Sequence, residues 1–531
     1  MAYRGITSPP ITLGNVGIVR DDSMDKIPYN AVLDARNITM QNGMIEKELG
    51  SLRFNPSAVP GGIRAAYQWE PIPYRKKTVM VGGDGKIYSY QEGESQIEIT
   101  PLLGSPEVLT LEGQPHFLEG GQEVANKPKK LFIFTGGSQV QVIEGDDNQR
   151  RNISGPSSDW ATTFPTFGFI MYGRIVAFGN NNFPHAYYVS DDDDQENFST
   201  VIPTTVFPGE GRGLLGAFAF KGTYFLGKYP RGLYKINAQG PDPANWLLEK
   251  SVEDFGMASP HSGSEVLQDC LIANSTNGLT TLSATLDFGD VRQGDVFNGL
   301  RNESFVRELM DGRGIEDRWC VYYENRKQFI TTYKSKNSNV NDFLCILDFS
   351  NMNSPKVLWS NKDQANCLLM IRDSDQIERP YYGSQDGYIY SMSRLNRDVQ
   401  GVSIDAWFRT PDLDFSFVDP AISEKNKIFQ FLNITYEATG EWNVYVDVFI
   451  DAVYYATVSF QPSYGPVLGD LELDVDPLTG RTPRSKRIKI PGTGRRIGFR
   501  FRNTEYRENF KLISYKVDFK LGGDAQRGMK E

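Results

Sequence analysis

TVMVGGDGKIYSY, Thr78 to Tyr90, and RPYYGSQDGYIYSM, Arg379 to Met392, follow one plan. An apolar run enters a Gly/Asp turn and a second apolar run leaves it. Asp84-Gly85-Lys86-Ile87-Tyr88-Ser89 in the first is echoed by Asp386-Gly387-Tyr388-Ile389-Tyr390-Ser391 in the second. The plan recurs between them in LFIFTGGSQVQVI (Leu131–Ile143), RIVAFGNNNFPHAYYV (Arg174–Val189) and TYFLGKYPRGLYKI (Thr223–Ile236). CLIANSTNGLTTL (Cys270–Leu282) and FITTYKSKNSNVNDFLCIL (Phe329–Leu347) complete the series. Successive hairpins lie roughly 40–60 residues apart, the period of a four-stranded propeller blade. A blade cannot bury its faces alone, so blades must close into a ring. The expectation is an all-β chain with a β-propeller of about six or seven blades over residues 61–400; the competing reading is a set of unrelated β-meanders.

Upstream, DARNITMQNGMIEKELGSLRF (Asp34–Phe54) reads as two short extended runs about Gln41-Asn42-Gly43. Asn-Gly between alternating apolar runs is the strongest short-range hairpin signal, because both residues tolerate positive φ. Residues 1–60 therefore form an N-terminal hairpin segment. It must dock either in a blade or on a C-terminal sheet. After Arg397 the texture changes to alternating strands such as AWFRTPDLDFSF, NVYVDVFIDAVYYATVSF and KLISYKVDFKL, which read as a β-sandwich over 401–531. One helix is visible, SFVRELM (Ser304–Met310), with Ser304 as its expected N-cap, on a connection between blades.

The chain has 531 residues, 51 of them glycine, and a net charge of −10. That charge repels phosphate and excludes a protein that grips nucleic acid tightly, though not one that DNA slides past. MAYRGITSPP lacks a charged stretch followed by an apolar one, so no secretory signal is expected. No apolar run approaches the roughly 18 residues of a membrane helix, and no membrane insertion is expected. Cys270, Cys320, Cys345 and Cys367 form no C-x-x-C pair, which argues against zinc and a disulfide framework and for buried thiols.

Catalytic patterns are scarce. His116, His185 and His261 have no second histidine at ligand spacing, and no nucleophile elbow or Walker loop occurs. Gly211-Arg212-Gly213-Leu214-Leu215-Gly216 spells a dinucleotide fingerprint but precedes a strand, so it is a loop. No catalytic, cofactor or metal residue is expected. Asp191, Asp192, Asp193 and Asp194 read as a solvated turn, a divalent-ion loop or a surface that repels DNA. Near the C-terminus, Asp470, Glu472, Asp474 and Asp476 precede a basic stretch from Arg481 that includes Arg484, Lys486, Arg487, Lys489, Arg495, Arg496, Arg500 and Arg502. On a strand these bases fall mostly on one face. That face is either solvated or a contact with an acidic neighbour or phosphate.

Asp34-Ala35-Arg36-Asn37-Ile38 with Asn42-Gly43-Met44-Ile45-Glu46-Lys47-Glu48-Leu49-Gly50 resembles the start of the tail nozzle proteins of short-tailed bacteriophages, also called tail tubular protein B-like or packaged-DNA stabilisation hub proteins. Val189-Ser190-Asp191 leading to Glu196-Asn197-Phe198 is similar to one of their blade elements. Arg496-Ile497-Gly498-Phe499-Arg500-Phe501 and Phe510-Lys511-Leu512-Ile513-Ser514-Tyr515 resemble their last sandwich strands. The acidic run is longer than the family's turn. The resemblance implies a non-enzymatic virion protein assembled in the host cytoplasm: a hexamer below portal and adaptor that contacts tail fibre or tailspike proteins and passes double-stranded DNA. Asp191–Asp194 would then line the bore, and Arg484, Lys486, Arg487, Arg495 and Arg496 would meet another subunit or the adaptor. The alternatives are a propeller that cleaves or binds glycans and an intracellular propeller scaffold.

Overall fold

A computed structural model describes the chain except residues 1–4, 21–25, 42, 122–127, 193, 200–201, 254, 268, 275–277, 283–295, 301, 311–315, 352–354, 375, 395–396, 464–482 and 523–531. Among the described residues, seven antiparallel blades stand in a ring. Their innermost strands are Ile63–Ile72, Leu111–Gly120, Phe167–Met171, Gly213–Phe220, Gly263–Val266, Cys320–Tyr323 and Cys367–Arg372, each beside the next, and the last returns to the first. The seven hairpins read from the sequence supply the second and third strands of the seven blades, one hairpin to each. These middle strands are buried on both faces, which is why their centres are apolar: Val79–Val81, Leu131–Phe134 and Phe329–Ile330 are almost wholly inaccessible.

The repeated Asp-Gly turns have one structure. Asp84 Oδ1 accepts from the Lys86 amide and Asp84 Oδ2 from the Tyr88 hydroxyl at 2.6 Å. Asp386 does the same for the Tyr388 amide and the Tyr390 hydroxyl, at 3.2 and 2.5 Å. Each turn receives the segment that leads into the following blade: Leu109 N donates to Gly85 O, and Val59 N donates to Gly387 O, both at 2.8 Å. The junction from blade 7 back to blade 1 thus repeats the junction from blade 1 to blade 2. A side-chain clasp completes it: Gln68 donates to Arg372 O at 3.0 Å and accepts from Arg372 N at 2.8 Å.

The Asp34–Phe54 stretch serves three sheets in turn. Asp34–Arg36 pairs with Ala406–Arg409 in one sheet of the C-terminal sandwich. Ile38–Gln41 and Met44–Lys47 form the expected hairpin, with Gln41 opposite Met44, and join the other sandwich sheet through Lys511–Leu521. Asn42 of its turn lies outside the described residues. Gly50–Arg53 then pairs with Ile389–Arg394 as the fourth strand of blade 7. The segment therefore docks on both of the sites that the sequence left as alternatives. Asn37 makes the switch between sheets with a left-handed φ of 53°. Its side chain donates to Asn361 Oδ1 and Asp405 O, at 2.8 and 2.7 Å, and accepts from Asn361 N at 2.8 Å.

The sandwich consists of Asp34–Arg36, Ala406–Arg409, Ile497–Asn503, Val444–Ile450 and Val453–Phe460 packed on a sheet centred on Lys427–Glu437 and Lys511–Leu521. Alternate residues face inward, so Phe499 and Phe501 meet Tyr515 at 5.7 and 6.2 Å, and Phe415 meets Phe519 at 4.5 Å. Ile6–Thr7 and Ile11–Thr12 lie on Lys511–Leu521, which pairs the start of the chain with its last described strand.

The helix between blades 5 and 6 spans Glu303–Leu309. Asn302, not Ser304, stands at its N-cap, and the Asn302 amide donates instead to Ile18 O and Leu300 O. The expected cap is displaced because this end is buried against the N-terminal segment.

Candidate functional site at the propeller axis

The ring's axis is closed by aromatic side chains. His116 stacks on Phe167 with centroids 3.7 Å apart, His261 stacks on Trp319 at 3.7 Å and 6°, and the two imidazoles stand 5.3 Å apart. These four rings come from blades 2, 3, 5 and 6 and meet at the inner strands or just before them. His116 Nε2 donates to Gly168 O at 2.8 Å and His261 Nε2 to Pro115 O at 3.3 Å, which fixes both tautomers. Burial pushes the His116 imidazole down to about 4 and holds His261 well below its ordinary value, so both are neutral near pH 7.

This stopper is the floor of a cavity of about 500 Å³. Its walls come from blades 7, 1 and 2, and each contributes one acid and one base from the two sides of its first hairpin. Blade 1 brings Glu70 and Lys76, blade 2 brings Glu119 and Lys129, and blade 7 brings Arg372 and Glu378. Arg372 and Glu378 are cross-strand partners 4.0 Å apart. Lys76 Nζ donates to Gln376 Oε1 at 2.8 Å. Burial raises the Glu119 carboxyl above the usual carboxylate range, against the pull of Lys129 and the neighbouring Tyr67 hydroxyl. Spacing along the sequence showed only that the histidines lack a ligand partner, and it gave no sign that His116 and His261 meet at the axis. Among the described residues no group of three or more His, Cys, Asp or Glu could hold a metal ion. No described helix is long and apolar enough to cross a membrane.

The acidic run is placed elsewhere, between the third and fourth strands of blade 3 and so toward the rim. Asp191 bonds the Asn197 side chain at 2.5 Å, Asp192 pairs with Arg174 at 3.2 Å, and Asp194 Oδ1 caps the Glu196 amide at 3.0 Å. Asp193 lies outside the described residues. The buried acid is the next one along, Glu196. Arg151 grips it with two nitrogens at 2.5 and 2.7 Å and Lys130 with one at 2.6 Å, which ties blade 3 to blade 2. The hydrogen bonds from Arg151 and Lys130 outweigh the cost of burial and hold its carboxyl down at about 2.

The basic stretch does not fall on one face. In the exposed edge strand Arg484–Lys489, Arg484 and Lys486 stand opposite buried Tyr436 and Ile434, whereas Arg487 and Lys489 stand opposite Asn433 and Phe431. Period-two alternation divides a run in which bases occupy both odd and even positions. Arg487 covers the Phe431 ring at 3.8 Å and pairs with Asp518 at 3.1 Å. Arg495 pairs with exposed Glu424 at 3.6 Å, and the Arg495 and Arg496 amides both donate to Asp451. Arg500 and Arg502 are engaged inside the sheet by the buried carboxylate of Asp447. Arg481 and the acids from Asp470 to Asp476 lie outside the described residues.

No family model matches the chain, and no curated protein does. Solved structures with similar folds include BBS1N in complex with ARL6DN, at 9% identity and a TM-score of 0.40 over 65% of this chain and 97% of that one. YCF48 from Cyanidioschyzon merolae is similar at 7% identity and a TM-score of 0.39, over 65% and 98%. An exo-beta-1,3-galactanase from Phanerochaete chrysosporium is similar at 9% identity and a TM-score of 0.27, over 89% and 99%. At such scores these likenesses bear on no function of this chain.

Proposed function

We propose that this all-β propeller and sandwich is a structural subunit of a short-tailed phage nozzle, a ring of six copies that encloses the DNA exit path below portal and adaptor. What carries the reading is the path of Asp34–Gly50. The stretch that resembles nozzle proteins is also the one that stitches sandwich to propeller, with Asn37 at the crossover, so the likeness falls on a junction that organises the whole architecture. In this reading the chain is not an enzyme, and its neighbours are copies of itself, the adaptor and fibre or tailspike proteins.

The stoppered axis limits how such a ring could work. A cavity of about 500 Å³ that ends on stacked rings cannot pass a duplex, so the conduit would run between copies and not through any one propeller. Among the described residues, Val453–Phe460 and Arg484–Lys489 are exposed edge strands of the sandwich with one ladder partner each, and lateral assembly would use such edges. The test is electron microscopy of the purified chain, alone and in particles of the phage that carries it. A sixfold ring with an open lumen is expected. A lone propeller in both preparations, or absence from the particle, sinks the proposal.

A further inference from the structure

We infer that Lys47 and Asn503 join in an intramolecular isopeptide bond, with Glu508 as the group that moves the protons. The inference stands on these three side chains and does not depend on the nozzle reading. Lys47 ends Met44–Lys47 in one sheet of the sandwich, and Asn503 ends Ile497–Asn503 in the other. Both are fully buried. Lys47 Nζ donates to Asn503 Oδ1 at 3.0 Å and to Glu505 O at 2.9 Å. Asn503 Nδ2 donates to Glu508 Oε2 at 3.1 Å and to Asn443 O at 3.2 Å. An ammonium only donates and a backbone carbonyl only accepts, so the amide faces this way round. The nucleophile therefore lies against the carbonyl it attacks, and the acid lies against the nitrogen that leaves.

The surroundings favour the reactive protonation states. Burial, with the nearby Arg397 charge, pushes the Lys47 amine down to about 8 against the pull of Glu508, Asp405 and Glu505. Burial, with the Glu505 charge, raises the Glu508 carboxyl against its hydrogen bond from Asn503 and the pull of Lys47. Nζ hands one proton to Glu508 and attacks Asn503 Cγ. Glu508 passes that proton to Nδ2 and takes the second from Nζ, as the Nζ–Cγ bond forms and the Cγ–Nδ2 bond breaks. Ammonia leaves, takes the last proton from Glu508 and departs as ammonium, so Glu508 ends as it began and no co-reactant is needed. Amine attack on an amide is slow between free molecules, and fixed contact in a buried site supplies the orientation it needs. Lys77 shows the contrast: it donates to Asn148 Oδ1 at 3.2 Å, but Asn148 is exposed and Asp146 pairs with the amine at 2.5 Å. The bond ties the two sandwich sheets together across 456 positions of sequence.

The test is the intact mass of the full chain in denaturant, followed by a tryptic map. The chain is expected to weigh less than its sequence by one ammonia, about 17 Da. Trypsin is expected to skip Lys47 and to release residues 37–53 joined to residues 503–507 as one branched peptide. Glu508→Gln keeps an acceptor for the Asn503 amide but cannot relay a proton. Linking is expected to slow by roughly a hundredfold in it, which leaves the freshly purified variant near full mass. Lys47→Arg, which keeps the buried cation, is expected to stay at full mass. A wild-type chain at full sequence mass overturns the inference. So does a loss of ammonia with residues 37–47 and 503–507 recovered as separate peptides. A Glu508→Gln variant that links as fast as wild type overturns the role given to Glu508.

Discussion

Val59 donates its amide to Gly387 O across the seam between the first and last blades, and the glycine's own backbone lies hard against it. At φ 87°, a Cβ on Gly387 would stand 2.3 Å from Val59 O. Gly93 has nearly the same φ, 86°, but nothing within 4 Å of its added Cβ. Gly93→Ala is therefore expected to cost only the left-handed conformation, about 1 kcal/mol. Gly387→Ala is expected to cost at least about 2 kcal/mol more, because neither backbone can yield without opening the ring. Thermal midpoints of the two variants, with hydrogen exchange at Val59 and Ile63, compare them directly. Equal losses would show that the seam is loose.

Asn37 combines a left-handed backbone with a fully used side chain. Asn37→Gly keeps the backbone but strips the hydrogen bonds, an expected loss of about 2 kcal/mol. Asn37→Ala loses the same bonds and adds roughly 1–2 kcal/mol of conformational strain. Chemical denaturation should rank them wild type, Gly, Ala. An alanine variant as stable as the glycine one would remove Asn37 from the junction.

Acid should weaken the fold in two windows. His116 is neutral in the fold and sits near 4, against about 6.5 when unfolded, so the unfolded chain takes up its proton first. That contribution is complete above about pH 6.5 and is lost as pH falls toward 4, a change of roughly 3 kcal/mol. Glu196 is held near 2, below its ordinary 4.5, so its contribution is present above pH 4.5 and is lost between there and 2. His116→Asn should shrink the first window of a pH–stability curve, leaving the part that His261 contributes, and should leave the second. Glu196→Gln should shrink the second, where Asp447, also held low by its arginine partners, still contributes.

Cys270, Cys320, Cys345 and Cys367 are buried and free, and burial raises each thiol above its ordinary value. A thiol reagent at pH 8 is expected to label none of the four in the native chain and all four in denaturant. Rapid native labelling of Cys320, which abuts the axial floor through its neighbour Trp319, would mean that the stopper opens.

The blades were legible because of where their middle strands lie. Strands such as Lys130–Gly136, covered on both faces, need an apolar centre, here Leu131–Phe134, and turn residues such as Gly85 and Gly387 punctuate them. Inner strands carry mixed sequences because one end is core and the other is cavity wall: Ile63–Ile72 runs from buried Ile63 to Glu70. Outer strands such as Thr204–Thr205 are too short and exposed to leave a pattern. The axial floor left none either. His116, Phe167, His261 and Trp319 come from four blades, and no local spacing links them. Glu196 was hidden beside four more conspicuous aspartates, though its partners Arg151 and Lys130 lie in the preceding blade. The basic run misled because its bases occupy both parities of an alternating strand.

The pairing of Gly50–Arg53 with Ile389–Arg394 sets an order on synthesis. Leu52 and Ser391 are 339 positions apart, so at about 5–20 residues per second the early strand leaves the ribosome roughly 17–70 s before its partner exists. During translation the nascent wheel stays open at one spoke, with an unsatisfied strand edge at each lip. A message truncated before codon 389 would yield a protein able to pair with another copy's lip but not with its own, so premature termination here should produce aggregates in place of a smaller soluble fragment.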